Sequence, residues 1–175
     1  MTFSNPAGNA AVAAADYVQA LLQVLGERDP LVVLGELVAW VSTRTETLDE
    51  AQLRRPEAPG KRAVMDVLQH LADSDLVMGF RIRMILTEEK PVLQGYDQDA
   101  WARQFRYIET PLDVTLAQLS GMRAANLRLF HTLTSSQLGR AGLHSERGPE
   151  TVRHLLRLMA AHDLVHRRQI DRILG

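Results

Sequence analysis

The sequence predicts an all-α protein, a four-helix bundle with one long crossover between its second and third helices. Apolar residues recur three and four positions apart over four long stretches, no strand-length segment alternates apolar with polar, and no internal repeat is present. With 175 residues, 46% of them apolar, the chain has the size of one domain and can bury a real core.

Residues 1–29 read as a tail and a short helix, and residues 30–175 as the bundle. From Ala15 to Leu25, Tyr17, Leu21, Leu22 and Leu25 share one side, and Gly26 stops the run. Pro30 opens the first bundle helix, in which Val33, Leu34, Leu37, Val41 and Leu48 keep helical spacing and Trp40 widens the stripe. Arg54 to Gly60, with two prolines and a glycine, is a surface loop. Val64, Val67, Leu68, Leu71, Met78, Ile82 and Ile85 then mark a second long helix.

Thr87 to Thr110 is too long for a tight helix hairpin. It is expected to cross the end or side of the bundle, pinned by Tyr96, Trp101, Phe105 and Tyr107, with a short helix near Trp101. Thr110 as N-cap, Pro111 in the first turn and Asp113 near the positive end begin the third helix, which runs to about Leu133. Gly148 and Pro149 launch the fourth, which carries Val152, Leu155, Leu156, Met159, Leu164 and Ile170 and ends at Gly175.

The chain has no cysteine, which excludes a thiolate zinc knuckle, a disulfide framework and a cysteine nucleophile. Any metal chemistry falls to histidine and carboxylate. Twenty basic residues against twenty-one acidic ones give no field that would draw the protein onto nucleic acid. No apolar run approaches the roughly 20 residues of a membrane span. The Ala-rich stretch Ala10 to Ala15 follows no basic region and is broken by Asp16, unlike a signal peptide. A cytoplasmic protein with a small-molecule partner is expected.

Three histidines carry the functional signal. His162 and His166 lie one helical turn apart on one face of the fourth helix, so both can reach one ion, and His70 can join them from the second helix. Taken singly, each is more often a hydrogen-bonded core residue than a ligand. His154 is rotated by about 80° from His162 on a helix of 3.6 residues per turn. His144 falls in a loop and His131 near a helix end, so neither fits the set. Gln169 continues the His162–His166 strip and is a candidate neighbour of the ion or its water. Asp73 or Asp66, a turn to either side of His70, could orient an imidazole, with a solvated carboxylate as the plain alternative. Arg81, nearly on the His70 strip, and Arg83 beyond it could receive an anionic group or form surface salt bridges.

The strings VLQHLADSDLVMGFRIRMIL and MAAHDLVHRRQIDRIL, separated by a crossover containing YDQDAW, resemble the DinB-like superfamily over roughly residues 30–175. The resemblance implies a bundle whose crossover brings the second and fourth helices together, with His70, His162 and His166 as ligands of one divalent metal. Members often carry Trp-Ser or Trp-Thr at the start of the second helix; this chain reads Gly60, Lys61, Arg62, Ala63.

Three neutral imidazoles leave an ion an open position, as in catalytic zinc sites; zinc or nickel suits this ligand set. Two mechanisms stay open on the residues alone, activation of water or of a substrate thiol. The resemblance implies the second, transfer of a bacillithiol- or mycothiol-type thiol to a small electrophile. The alternative is a non-catalytic stress-response protein in which the three histidines clasp two helices. A homodimer is expected from the family's habits and from apolar surface that Ala15 to Leu25 would expose.

Overall fold

The computed structural model describes residues 10–175, with side chains from Asp16 onward. Five long helices are present: α1 (Ala10–Leu25), α2 (Pro30–Thr45), α4 (Val64–Thr87), α6 (Leu112–Phe130) and α8 (Val152–Leu174). Short helices α3 (Glu50–Arg54), α5 (Gln98–Gln104) and α7 (Ser135–Gly139) join them. A single 3-10 turn, Tyr107–Glu109, precedes α6.

Local chemistry sets most of the boundaries. Asp29 caps α2 by accepting from the Leu31 N–H at 2.7 Å, ahead of Pro30 at the first helical position. Ala63, at the start of α4, has no side-chain acceptor to offer. Asp66 instead reaches back one turn, and its carboxylate accepts from the Ala63 N–H at 2.9 Å. That contact commits Asp66 to the helix end and removes it from the histidines.

The four bundle helices neighbour one another in the ring α2, α6, α4, α8, and α1 packs along the outside of α8. Paired residues climb together along α4 and α6: Gln69 with Thr115, Asp73 with Gln118, Asp75 with Arg123, Arg83 with Asn126. These two helices are therefore parallel neighbours, and no tight hairpin can join them. The chain must return along the roughly 36 Å of a 24-residue helix, which is why the crossover is long. The expected short helix is α5, whose Trp101 packs between Tyr96, tilted at 49°, and Phe105, edge-on at 61°, with centroids 4.6 and 5.6 Å away.

Three strands were not expected. β1 (Val92–Leu93) pairs in parallel with β2 (Ala141–His144), which pairs antiparallel with β3 (Gly148–Thr151). Two to four residues are too few to show alternation. Gly148 and Pro149 therefore do not launch the last helix; Gly148, at φ 77°, opens β3, a backbone setting that favours glycine. α8 starts at Val152 with Thr151 as cap, its hydroxyl accepting from the His154 N–H at 3.1 Å. The third helix is likewise shifted. Thr110 closes the 3-10 turn by donating its N–H to the Tyr107 carbonyl, so Pro111 takes the N-cap position and Leu112 begins α6.

The core has two apolar halves. One joins α1, the starts of α2 and α8 and the end of α4; the other joins the end of α2, α3, the start of α4 and the end of α8. Between them lies a belt of buried polar side chains, and the three histidines sit in it. Among the described residues no helix is long and apolar enough to cross a membrane.

Candidate metal centre

His70 comes from α4, and His162 and His166 come from successive turns of α8. Their ligand atoms lie within 4.8 Å of one another. The Nε2 atoms of His70 and His162 are 2.9 Å apart, and those of His166 and His162 3.1 Å. Nitrogens of a tetrahedral zinc, each about 2.0–2.1 Å from the ion, stand roughly 3.3 Å apart, so a small adjustment seats one ion. The ring planes are turned 62°, 68° and 69° from one another, so edges rather than faces converge.

Protonation suits the same purpose. Gln169 accepts a hydrogen bond from His166 Nδ1 at 2.8 Å. An amide oxygen can only accept, so the proton sits on Nδ1 and the Nε2 lone pair faces the other rings. Burial holds His70 and His162 well below the ordinary imidazole range, with the neighbouring imidazoles adding to the effect. It brings His166 down to about 4, partly offset by Gln169. All three rings are neutral near pH 7, the form that binds metal.

The other expected site residues divide. Gln169 touches His166 as described. Asp73 is buried in a different network, accepting from the Tyr107 hydroxyl at 2.5 Å and from Gln118 Nε2 at 2.8 Å. Gln118 in turn accepts from Gln69, and Gln69 from Thr115. Asp73 thus ties the crossover to α4 and α6; among the described residues it accepts nothing from His70. Arg83 donates to the Gly79 carbonyl and to Asn126, on the seam between α4 and α6. His144 is on β2 rather than in a loop, 2% exposed, and its Nδ1 accepts from the Glu146 N–H.

Arg81 faces a cleft of about 100 Å³ that also reaches His162. Its apolar wall includes Leu21 of α1, Val77 of α4 and Leu158 of α8, and its polar wall includes Ser74, Tyr96 and Arg81. One vertex of the histidine triangle is therefore open to a small molecule. A larger depression of about 680 Å³ lies between α1 and the β2–β3 hairpin and holds none of the three histidines.

Sequence reasoning missed the support behind the centre. Arg123 of α6 donates through Nε to Asp75 at 2.8 Å and through Nη1 and Nη2 to Asp163 at 2.6 and 3.2 Å. Nη1 also reaches the Leu34 carbonyl at 2.8 Å. Asn126 adds an amide donor to Asp75 at 3.1 Å. This fully bonded triad fastens α2, α4, α6 and α8 beside His162. A signal was present in Asp163 itself, a carboxylate set between His162 and the buried Leu164 of α8.

Fold and site together define a four-helix-bundle protein with a three-histidine centre able to hold a divalent metal. The chain belongs to the DinB superfamily, whose sequence profile matches residues 38–170. It is 29% identical over 147 residues to YfiT of Bacillus subtilis, a candidate metal-dependent hydrolase, which spans 82% of this chain and 83% of YfiT. A second protein so named, from Oceanobacillus iheyensis, is 28% identical over 133 residues, 76% of this chain and 72% of its own. The solved structure of Bacillus subtilis YfiT superposes with a TM-score of 0.77 over 82% of this chain and 83% of that one. It is described as having an unusual four-helix bundle topology.

Proposed function

We propose that the protein transfers a low-molecular-weight thiol, of bacillithiol or mycothiol type, to a small electrophile at the mouth of the cleft beside His162, whose volume of about 100 Å³ takes the electrophile's body and leaves most of the thiol outside. In the overall reaction the thiol sulfur bonds to carbon, the leaving group departs with its electron pair, and the thiol proton goes to solvent. A divalent ion, zinc or nickel by ligand type, supplies the Lewis acidity that favours the anionic form of the thiol at neutral pH. His70, His162 and His166 hold it, Gln169 fixes the orientation of His166, and the apolar wall excludes water.

The observation that carries this reading is the state of the nearby carboxylates. Asp75 and Asp163, which line the cleft, are both engaged by Arg123, and Asp73 is engaged by Tyr107 and Gln118. Thiol transfer needs only ionisation of the nucleophile. Hydrolysis also calls for a group that protonates the leaving atom; these carboxylates are committed elsewhere, which leaves that task to the weakly acidic Tyr96 phenol. The names of the relatives favour hydrolysis as the second reading.

The test sets a panel of thiols against chlorodinitrobenzene with zinc-loaded protein, metal-stripped protein and His162→Ala. Metal-dependent acceleration that the variant loses supports thiol transfer. Rates equal to the uncatalysed thiol, alongside metal-dependent cleavage of ester or amide substrates, support hydrolysis instead.

A further inference from the structure

Arg81 presents an electrostatic imbalance next to the centre. It is 6% exposed, yet no carboxylate oxygen among the described residues lies within ion-pair distance, and residues 1–15 contain no acid. Its Nη2 donates to the Gln94 carbonyl, and its Nη1 lies 3.7 Å from the Met78 sulfur. Both partners are neutral. The other two guanidinium groups of the cleft are matched, Arg123 by Asp75 and Asp163 and Arg147 by a two-pronged contact to Glu150 at 2.7 and 2.9 Å. Buried charges in folded proteins are almost always paired, because an isolated one forfeits its hydration. Burial pushes the Arg81 pKa down and Arg147 adds to the effect, while Glu150 and Glu146, both beyond ion-pair distance, offset it only in part.

We propose that Arg81 receives the carboxylate of a small-molecule substrate, so that the protein acts on monoanionic acids with a short apolar body. One unmatched positive charge calls for one negative charge, and a planar guanidinium fits a planar carboxylate through paired hydrogen bonds. The cleft of about 100 Å³ suits an acid of a few carbons. Tyr96, on the same wall, offers a phenol, and Leu21 and Val77 meet the apolar body. Leu21 belongs to α1, outside residues 38–170 that match the family, so α1 contributes to this selectivity. The inference rests on reading the cleft as a substrate site, but it is tested by binding alone.

The experiment titrates butanoate, butanamide and inorganic phosphate into zinc-loaded and metal-stripped protein, following tryptophan fluorescence, since Trp101 packs against the cleft residue Tyr96 with centroids 4.6 Å apart. Butanoate is expected to bind at least tenfold more tightly than butanamide in both forms. The preference should vanish in Arg81→Gln and persist in part in Arg81→Lys. Met78→Glu keeps Arg81 but puts a carboxylate at the present sulfur contact, and it should erase the preference too, which covers the case in which Arg81→Gln does not fold. Equal binding of acid and amide, a preference confined to the zinc-loaded form, a preference that survives both Arg81→Gln and Met78→Glu, or phosphate binding more tightly than butanoate each overturns the proposal. Loss of thiol transfer with the acid preference intact sinks only the proposed reaction; the reverse sinks only the role of Arg81.

Discussion

Replacing Arg123 with methionine removes the one group that neutralises Asp75 and Asp163. Asp75 keeps the Asn126 amide at 3.1 Å, whereas among the described residues Asp163 accepts from nothing but Arg123. Asp163 is 2% exposed and cannot recover its hydration without opening the bundle. The variant's low-energy response is to protonate it. Holding a carboxyl of ordinary pKa about 3.9 protonated at pH 7 costs about 4 kcal/mol, at about 1.4 kcal/mol per pH unit. That agrees with the roughly 3–5 kcal/mol found when one partner of a buried ion pair is deleted. The sign with pH is then fixed. The folded variant keeps a proton that its unfolded chain releases, so variant stability falls as pH rises; burial already raises wild-type Asp163 to about 6, so wild type gains part of the same stabilisation on acidification, and the deficit shrinks by about 1–2 kcal/mol between pH 7 and pH 5. Histidine titration is common to both proteins and cancels in the difference. Urea unfolding of metal-free protein at both pH values measures it. A deficit under about 1 kcal/mol at pH 7, or one that does not shrink on acidification, would refute the view that the triad holds the belt together.

Gln169→Leu leaves His166 Nδ1 without its acceptor at 2.8 Å and should weaken zinc binding by about 10–100-fold with little effect on the melting temperature; calorimetric titration reads it, and unchanged affinity would remove Gln169 from the site. Metal-free protein should lose stability as pH falls from about 6.5 towards 4, because the unfolded chain takes up protons that His144 and His166, both held near 4 by burial, refuse in the folded state. Each contributes up to about 2 kcal/mol by pH 5, at about 1.4 kcal/mol per unit, and stability that is flat between pH 7 and pH 5 would contradict it. Gly79→Ala should destabilise by about 1–3 kcal/mol in denaturant titration, because the added methyl meets the Asn126 amide, which Asp75 and Arg83 hold in place. Melting unchanged within error would mean that α4 and α6 can separate slightly at no cost.

What could be read from the sequence was local. The spacing of His162 and His166 is a property of one helix, and the stripes of α4 and α8 show which faces turn inward, so the convergence of His70 on the pair was legible once the second and fourth helices were taken as neighbours. The length of the Thr87–Thr110 segment signalled a crossover for the same reason: a chain returning along a parallel partner needs that many residues. Arg123 was not legible because its partners lie 40 and 48 residues away and it looks like any exposed arginine on the polar side of α6. The strands failed for lack of length, since β1 pairs with a segment about 50 residues on through two residues. Asp66 and Asp73 share the His70 strip, but their partners, a backbone N–H at the start of α4 and a phenol from the crossover, are fixed by tertiary structure rather than spacing.

The placement of the polar belt explains how a site of this kind can exist before any ion arrives. Three neutral imidazoles in an apolar core would lose their hydrogen bonds to water with little return, and the cost would favour a collapsed or frayed bundle. Here the belt crosses all four helices at one level, and its members satisfy one another: Arg123 with two carboxylates, Asp73 with a phenol and an amide, His166 with Gln169. Burial between the apolar halves keeps the imidazoles deprotonated, with His70 fully enclosed and His162 and His166 partly exposed. The triad ties α8, through Asp163, to α4 and α6 at the residue next to His162, so that His162 is positioned both by this contact and by His70. Among the described residues Arg81 is the cleft guanidinium with no carboxylate at ion-pair distance, whereas Arg123 and Arg147 each have one.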